Sequence, residues 1–241
     1  MSKIPKKIHY IWVGGNPKPD IVLKCIETWK KYMPDYEIIE WNEKNYDVKK
    51  NEYIRGAYEK RKYAFVSDYM RFDILHEYGG IYMDTDVELL KSIPEEIFAN
   101  DSFTGVENAG KVSPGLIFAC APQNEIVRKM KESYEGESFD EENLLTINCR
   151  ITKLLNEKGF VENNQFQVID GLAIYPDEYF CGFDQDVREI MVTENTISVH
   201  HYAATWKKKT LKNKVQMIIK GIVGVNGYRR LIHFKRWLKR K

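Results

Sequence analysis

The chain has few cysteines and no long apolar run. Its four cysteines, Cys25, Cys120, Cys149 and Cys181, are far apart and form no CxxC or Cys/His spacing of a metal site. The beginning of the chain has no apolar core of secretory length, and no stretch approaches the ~18 consecutive apolar residues of a membrane-spanning helix. These absences predict a cytoplasmic protein with free thiols that does not cross a membrane.

Charge is distributed unevenly, although the net charge is only +2. Residues 207–241 contain 13 lysines and arginines and no acidic residue, which leaves 24 basic and 35 acidic residues in residues 1–206. Apolar residues recur at near-helical spacing in this basic tail, a pattern typical of segments that bind membrane surfaces. We expect a folded domain over 1–206 and an amphipathic, peripheral membrane segment over 207–241. Packing of the tail on the domain and, with less support, nucleic-acid binding are the alternatives.

The order of apolar patterns predicts an α/β fold. Residues 7–14 have the composition of a strand, residues 20–33 repeat apolar side chains at helical spacing, and residues 36–41 form a second strand. A βαβ opening of this kind predicts a mostly parallel, Rossmann-like sheet flanked by helices. Residues 63–78 are predicted to be helical, with Gly79 ending the helix. Further strands are predicted at residues 81–84, 102–107, 116–121, 167–169, 173–175 and 196–202, and further helices at 125–134 and 141–156.

An acidic pair follows the strand predicted at residues 81–84. On an extended backbone Asp84 and Asp86 point to the same side, so their carboxylates can hold one hard cation such as Mg²⁺ or Mn²⁺. The plain alternative is a solvated strand end. A phosphatase of the haloacid dehalogenase type has a similar DxDx[TV] signature, but Glu88 stands where that signature has Thr or Val. One helix upstream, Asp68 and Arg71 lie three residues apart and so share a helix face, either as an exposed ion pair or as donor-binding groups.

Three segments, in order, carry a family resemblance. Residues 67–71 (SDYMR) with 79–86 (GGIYMDTD) resemble the DXD-containing glycosyltransferase family of bacterial capsular enzymes and fungal initiating mannosyltransferases, a family 32-like group. They also resemble the catalytic domain of the large clostridial glucosylating toxins. Residues 6–15 (KKIHYIWVGG) are similar to the family's opening strand, and residues 199–206 (VHHYAATW) to its closing motif, with Thr205 where serine is usual. The resemblance implies a GT-A fold for 1–206.

The resemblance also implies roles for individual residues. The donor-binding set that it implies is Trp12, Ser67, Asp68, Arg71, Tyr82, Asp84 and Trp206. In this set Trp12 would stack on the nucleotide base, and the indole N–H of Trp206 would reach the diphosphate. Catalytic roles fall to Asp84, Asp86 and Arg71.

The implied metal site contains Asp86, His201 and Asp84 around Mn²⁺ or Mg²⁺. Either histidine of the His200–His201 pair can be the ligand, and the resemblance favours His201 from its spacing to the closing tryptophan. Ala204 stands where the toxin-like pattern has a serine ligand, so that ligand is absent from this chain.

The activity implied is a retaining, metal-dependent transfer from a nucleotide sugar, with UDP favoured over GDP. A double displacement would need a carboxylate nucleophile, for which Glu107 and Asp170 are candidates that the sequence does not place. A same-face attack assisted by the leaving phosphate is the alternative. The expected acceptor is a lipid-linked glycan of surface or capsular polysaccharide, reached at the inner face of the cell membrane. A toxin-like protein acceptor and a non-catalytic membrane-bound scaffold are the other hypotheses.

Overall fold

The structure is a computed structural model that describes residues 3–107, 110–184 and 187–203, together with the isolated Gly224 and Gly227. The predicted basic tail at 207–241 otherwise lies outside the described residues, as does Trp206. Within the described part of the chain, no helix combines the length and the apolar character needed to cross a bilayer.

The centre of the fold is an eight-stranded sheet with the order β2-β1-β3-β7-β5-β9-β8, to which β6 adds beside β5. Its strands are β1 (Lys7–Ile11), β2 (Glu37–Trp41), β3 (Gly80–Tyr82), β5 (Ser102–Glu107), β6 (Lys111–Val112), β7 (Phe118–Cys120), β8 (Gln167–Ile169) and β9 (Leu172–Tyr175). Two short pairs lie apart from it: β4 (Val87–Leu89) with β12 (Ser198–His200), and β10 (Phe183–Asp184) with β11 (Glu189–Ile190).

The sheet is mixed rather than mostly parallel. Strands β2, β1, β3, β5 and β9 share one direction, whereas β6, β7 and β8 run the opposite way. A parallel neighbour needs a crossover of a dozen or more residues, and the connections from β5 to β6, from β6 to β7 and from β8 to β9 are too short to provide one. The five co-directional strands still end at a common edge, where ligands of open α/β sheets bind.

Helices flank the sheet, and three of the described helices begin at a residue whose side chain caps them. The described helices are α1 (Asp20–Tyr32), α2 (Glu52–Glu59), α3 (Tyr63–Tyr78), α4 (Glu125–Glu132), α5 (Ile147–Asn156), α6 (Asp177–Phe180) and a 3-10 helix at Glu95–Ala99. The predicted bounds of α3 are confirmed, and Gly79 ends this helix with φ of +61°. Helix α5 begins later than the predicted residue 141, because the Thr146 side chain accepts a hydrogen bond from the Cys149 N–H.

Two hydrophobic clusters cover the two faces of the sheet. Helix α3 packs in one cluster and α1 in the other. The alternation along β7 shows the division, since Phe118 and Cys120 lie in the first cluster and Ala119 lies in the second. Each face of the sheet therefore packs against one of these two helices.

Fully buried His9 links β1 to the end of α3. Its Nδ1 accepts a hydrogen bond from the Trp41 indole N–H at 3.0 Å, and its Nε2 lies 2.9 Å from the carbonyl oxygen of Gly79. These partners fit a neutral imidazole with the proton on Nε2, which donates to the carbonyl. Burial lowers the pKa of His9 to about 4.

We expect His9 to make the folded state lose stability in mild acid. The unfolded chain binds a proton at His9 near pH 6.5, whereas the folded chain does so only near pH 4. Stability is therefore fully present above pH 6.5 and falls by about 1.4 kcal/mol per pH unit as the pH drops towards 4. Urea unfolding between pH 7 and pH 5 measures this slope. In the variant His9→Gln, the slope of the unfolding free energy against pH should be smaller by about 1.4 kcal/mol per pH unit. Parallel pH curves for both proteins would refute the assignment.

Candidate active site

The acidic pair lies on a turn rather than on a strand. Strand β3 ends at Tyr82, and the Asp84 N–H then donates to the Gly115 carbonyl oxygen at 2.9 Å. The predicted strand over 81–84 is therefore wrong beyond Tyr82. The expected convergence of Asp84 and Asp86 is nevertheless present, because the turn brings their carboxylate oxygens within 4.8 Å of each other.

Helix α1 holds the chain immediately after this turn. The indole N–H of buried Trp29 donates to the carbonyl oxygen of Val87 at 2.7 Å. The Thr28 hydroxyl accepts a hydrogen bond from the Leu89 N–H at 3.0 Å. Two successive residues of α1 thus fix β4, which gives the acidic turn a rigid support.

A buried arginine reaches the first aspartate from α3. Arg71 is 3% exposed, its Nη2 lies 2.9 Å from Asp68 Oδ1, and its Nη1 lies 3.4 Å from Asp84 Oδ1. Its guanidinium also lies over the ring of Tyr82, whose hydroxyl donates to Asp84 Oδ1 at 2.9 Å. Nη1 makes no hydrogen bond with the described residues, so a buried cationic donor lies beside the Asp84 carboxylate without a hydrogen-bond acceptor among them.

The charges around Arg71 are strongly perturbed. Burial, opposed by Arg71 and reinforced by Asp84, raises the pKa of Asp68 to about 7. Desolvation alone would lower the pKa of Arg71, but Asp84, Tyr82 and Asp68 outweigh it and raise that pKa. Arg71 therefore stays charged while Asp68 is close to half-protonated at neutral pH. Such a pair can bind both a sugar hydroxyl and a phosphate oxygen.

The second aspartate is held by the end of the described chain. Asp86 Oδ1 lies 3.0 Å from His200 Nε2, and Asp86 Oδ2 accepts a hydrogen bond from the Ala203 N–H at 2.9 Å. Burial alone would raise the pKa of Asp86, but the positive charge and hydrogen bond of His200, with the Ala203 N–H, lower it. Asp86 is therefore ionised at neutral pH, as a metal ligand must be.

Strand β12 separates the two histidines. It pairs antiparallel with β4 and places His200 opposite Val87, next to the acidic turn. Successive side chains of a strand point to opposite faces, and His201 contacts Glu88 instead, with Nε2 2.7 Å from Oε2. Among the described residues, the group whose ligand atoms converge with both aspartates contains His200, whereas the predicted ligand His201 contacts Glu88.

Asp84, Asp86 and His200 suit a divalent cation. Each of these three described residues offers one ligand atom, and the three atoms all lie within 4.8 Å of one another. Two carboxylates and one imidazole match Mn²⁺ or Mg²⁺ more closely than a soft metal. His200 reaches Asp86 through Nε2, and its buried Nδ1 makes no hydrogen bond with the described residues.

The remaining predicted donor-binding residues lie around this edge. Trp12 follows β1, is half-buried, and donates its indole N–H to the Asn16 carbonyl oxygen at 2.7 Å. Ser67 donates its hydroxyl to the Ala64 carbonyl oxygen and accepts a hydrogen bond from Arg71 Nη2 at 3.3 Å. Ser67 therefore contacts the same guanidinium as Asp68 and Asp84. The tryptophan predicted to contact the diphosphate lies outside the described residues.

Two carboxylates considered as nucleophiles lie at opposite ends of the sheet. Asp170 is in the turn between β8 and β9 and pairs with Lys158. Because Ser102 at the start of β5 is opposite Leu172, this turn is far from the carboxyl edge. Glu107 ends β5 at that edge. Sequence reasoning missed the roles of Gly115 and Tyr202 described below, since no local pattern marks them.

Comparison with known proteins points to one class. Residues 19–104 match the family model described as a glycosyltransferase sugar-binding region containing a DXD motif. The chain is 27% identical over 164 residues to subversion of eukaryotic traffic protein A of Legionella pneumophila, covering 56% of this chain and 25% of that protein. It is 26% identical over 162 residues to human alpha-1,4-N-acetylglucosaminyltransferase, covering 64% of this chain and 45% of that enzyme. The matched region is therefore less than half of each relative.

A solved structure shares the fold. The glycosyltransferase GlyE of Streptococcus pneumoniae superposes with a TM-score of 0.50 at 11% identity, covering 89% of this chain and 59% of that one. The predicted α/β fold of GT-A type is confirmed. Residues 19–104 therefore resemble a glycosyltransferase sugar-binding region that contains a DXD motif, as the sequence led us to expect.

Proposed function

We propose that the protein is a retaining, metal-dependent glycosyltransferase that uses a nucleotide sugar, with UDP favoured over GDP. The observation that carries this proposal is the convergence of Asp84, Asp86 and His200 next to the buried Arg71. A divalent cation in this set would neutralise charge on the departing nucleoside diphosphate. Arg71 supplies a second, fixed positive charge, because its buried Nη1 lies 3.4 Å from Asp84 Oδ1.

One observation supports retention, and a second bears on the mechanism by which retention is reached. The name of the human relative specifies an α linkage, which is the outcome of retention when the donor sugar is α-linked to its diphosphate. The Glu107 carboxylate accepts hydrogen bonds from Tyr202, Ser113 and Asn148, which reduces its nucleophilicity. We therefore favour same-face attack by the acceptor hydroxyl over a double displacement through a glycosyl-enzyme.

For the acceptor we propose a lipid-linked glycan of surface or capsular polysaccharide, modified at the cytoplasmic face of the membrane. The basic composition of residues 207–241 supports this choice, because several lysines and arginines near an anionic leaflet add about 1 kcal/mol each to binding. A protein acceptor is the second candidate. The relative from Legionella favours it, since its name refers to eukaryotic traffic.

A donor screen followed by an acceptor screen tests the proposal. Thermal shift with UDP-sugars and GDP-sugars, each with and without Mn²⁺, identifies the donor by the increase in Tm that binding produces. The radiolabelled donor is then incubated with lipid extract and with cell protein in parallel. Label in the lipid fraction supports the proposed acceptor, and label in protein supports the alternative. A protein that binds no nucleotide sugar with metal would contradict both and favour the scaffold hypothesis.

A further inference from the structure

Glu107 connects four parts of the chain at the functional edge. Its Oε2 accepts hydrogen bonds from the Tyr202 hydroxyl at 2.5 Å and from the Ser113 hydroxyl at 3.1 Å. Its Oε1 accepts a hydrogen bond from Asn148 Nδ2 at 2.6 Å, and this amide also donates to Ser113 Oγ at 3.2 Å. The end of β5, the turn after β6, the start of α5 and the last described segment therefore meet at one carboxylate.

The contact with Tyr202 bears on the second aspartate. Tyr202 has φ of +46°, a left-handed conformation that is costly for an aromatic residue and that persists only when contacts enforce it. Residues on either side of it bind Asp86, namely His200 through its imidazole and Ala203 through its N–H. The bend at Tyr202 is what lets both groups reach the same carboxylate. Glu107 holds that bend by its hydrogen bond to the Tyr202 hydroxyl.

The contact with Ser113 bears on the first aspartate. Ser113 opens a turn that closes with the Leu116 N–H donating to the Ser113 carbonyl oxygen at 3.1 Å. Gly115 lies inside this turn, and its carbonyl oxygen accepts the hydrogen bond from the Asp84 N–H. By fixing Ser113, the same carboxylate also fixes the backbone that orients Asp84.

We infer that Glu107 and Tyr202 form a positioning pair that sets both aspartates of the metal site from outside it, an inference that rests on the proposed function. Neither residue belongs to the group of converging ligand atoms, which consists of Asp84, Asp86 and His200. Such outer partners orient metal ligands, and their loss typically costs about 10–100-fold in metal affinity or activity. The pair is therefore expected to control metal affinity and turnover more than donor binding.

The test compares Mn²⁺ binding by wild type, Glu107→Gln and Tyr202→Phe in the full chain, without donor or acceptor. Titration calorimetry and the electron paramagnetic resonance signal of free Mn²⁺ give the affinity. We expect each variant to bind Mn²⁺ about 10–100-fold more weakly and the double variant to show less than the sum of both losses. Tyr46→Phe is the matched control, since it removes a 2.8 Å hydrogen bond to the buried Asp73 carboxylate elsewhere in the fold.

The outcomes separate this inference from the proposed function. Variants that bind Mn²⁺ within twofold of wild type overturn the positioning pair and leave the proposed metal site standing. A wild-type protein that binds no Mn²⁺ overturns both. An equal loss in Tyr46→Phe also overturns the pair, because the effect would then reflect general destabilisation. If Glu107→Gln fails to fold, Tyr202→Phe alone decides, since it removes a single hydroxyl.

Discussion

Asp86→Asn is expected to abolish metal-dependent release of nucleoside diphosphate, with turnover falling by about 10²–10³-fold or more. The amide keeps the shape of the side chain but loses the negative charge that a cation requires. In the wild type, one Asp86 oxygen accepts a hydrogen bond from the Ala203 N–H and the other contacts His200 Nε2. In the variant, an NH₂ group replaces one of these two oxygens. Turnover with excess Mn²⁺, measured by nucleoside diphosphate release, and Mn²⁺ binding by calorimetry give the result.

The matched control is Asp101→Asn, which removes the same charge from an exposed ion pair with Lys3. This variant should keep wild-type turnover, because exposed ion pairs contribute about 0–1 kcal/mol and this one is remote from the acidic turn. Asp86→Asn with Mn²⁺-dependent turnover within tenfold of wild type would exclude Asp86 as a metal ligand. Circular dichroism and the Tm of both variants show whether lost turnover reflects unfolding rather than loss of the metal ligand.

Gly115→Ala is expected to reduce turnover by about 10²-fold while leaving the fold intact. A Cβ at this position would lie 2.2 Å from Asp84 Oδ2 and 3.3 Å from Arg71 Nη1. We expect the Asp84 carboxylate to move, because it is the nearer group and the Arg71 guanidinium is buried. The end of an aspartate side chain moves at little cost in folding free energy, but the metal site loses its geometry. Steady-state kinetics and thermal unfolding measure the two effects separately.

Gly56→Ala is the control for an added methyl group. This glycine lies inside α2, and its Cβ would approach Phe139 Cβ at 3.1 Å rather than any group of the site. Turnover of this variant should stay within about twofold of wild type, since only packing between α2 and a loop changes. Equal turnover by both glycine variants would show that Asp84 tolerates displacement, and the role assigned to Asp84 would then fail.

Local signals explain which elements the sequence could predict. Helix α3 and strand β5 have the predicted bounds, because a glycine stop and a run of β-forming residues act on the backbone nearby. Helix α2 was missed although Asn51 caps it by accepting a hydrogen bond from the Ile54 N–H. A cap of this kind is detectable in sequence, so this omission was avoidable.

The parts of the site that escaped prediction depend on pairing between distant segments. The sequence placed Asp84, Asp86 and His201 at one edge, and the structure brings the two aspartates together with His200. The choice between His200 and His201 depends on the register of β12 against β4, which sequence spacing does not encode. The same holds for Glu107 and Tyr202, whose contact joins residues 95 positions apart.

Because β4 pairs with β12, the residues of the proposed site are synthesised at widely separated times. The matched family region ends at residue 104, and every described residue of the acidic turn lies within it, yet His200 and Ala203 come much later in the chain. During synthesis the first two ligands leave the ribosome long before the third. A nascent chain that has not reached β12 therefore contains Asp84 and Asp86 but not the histidine of the proposed cation site.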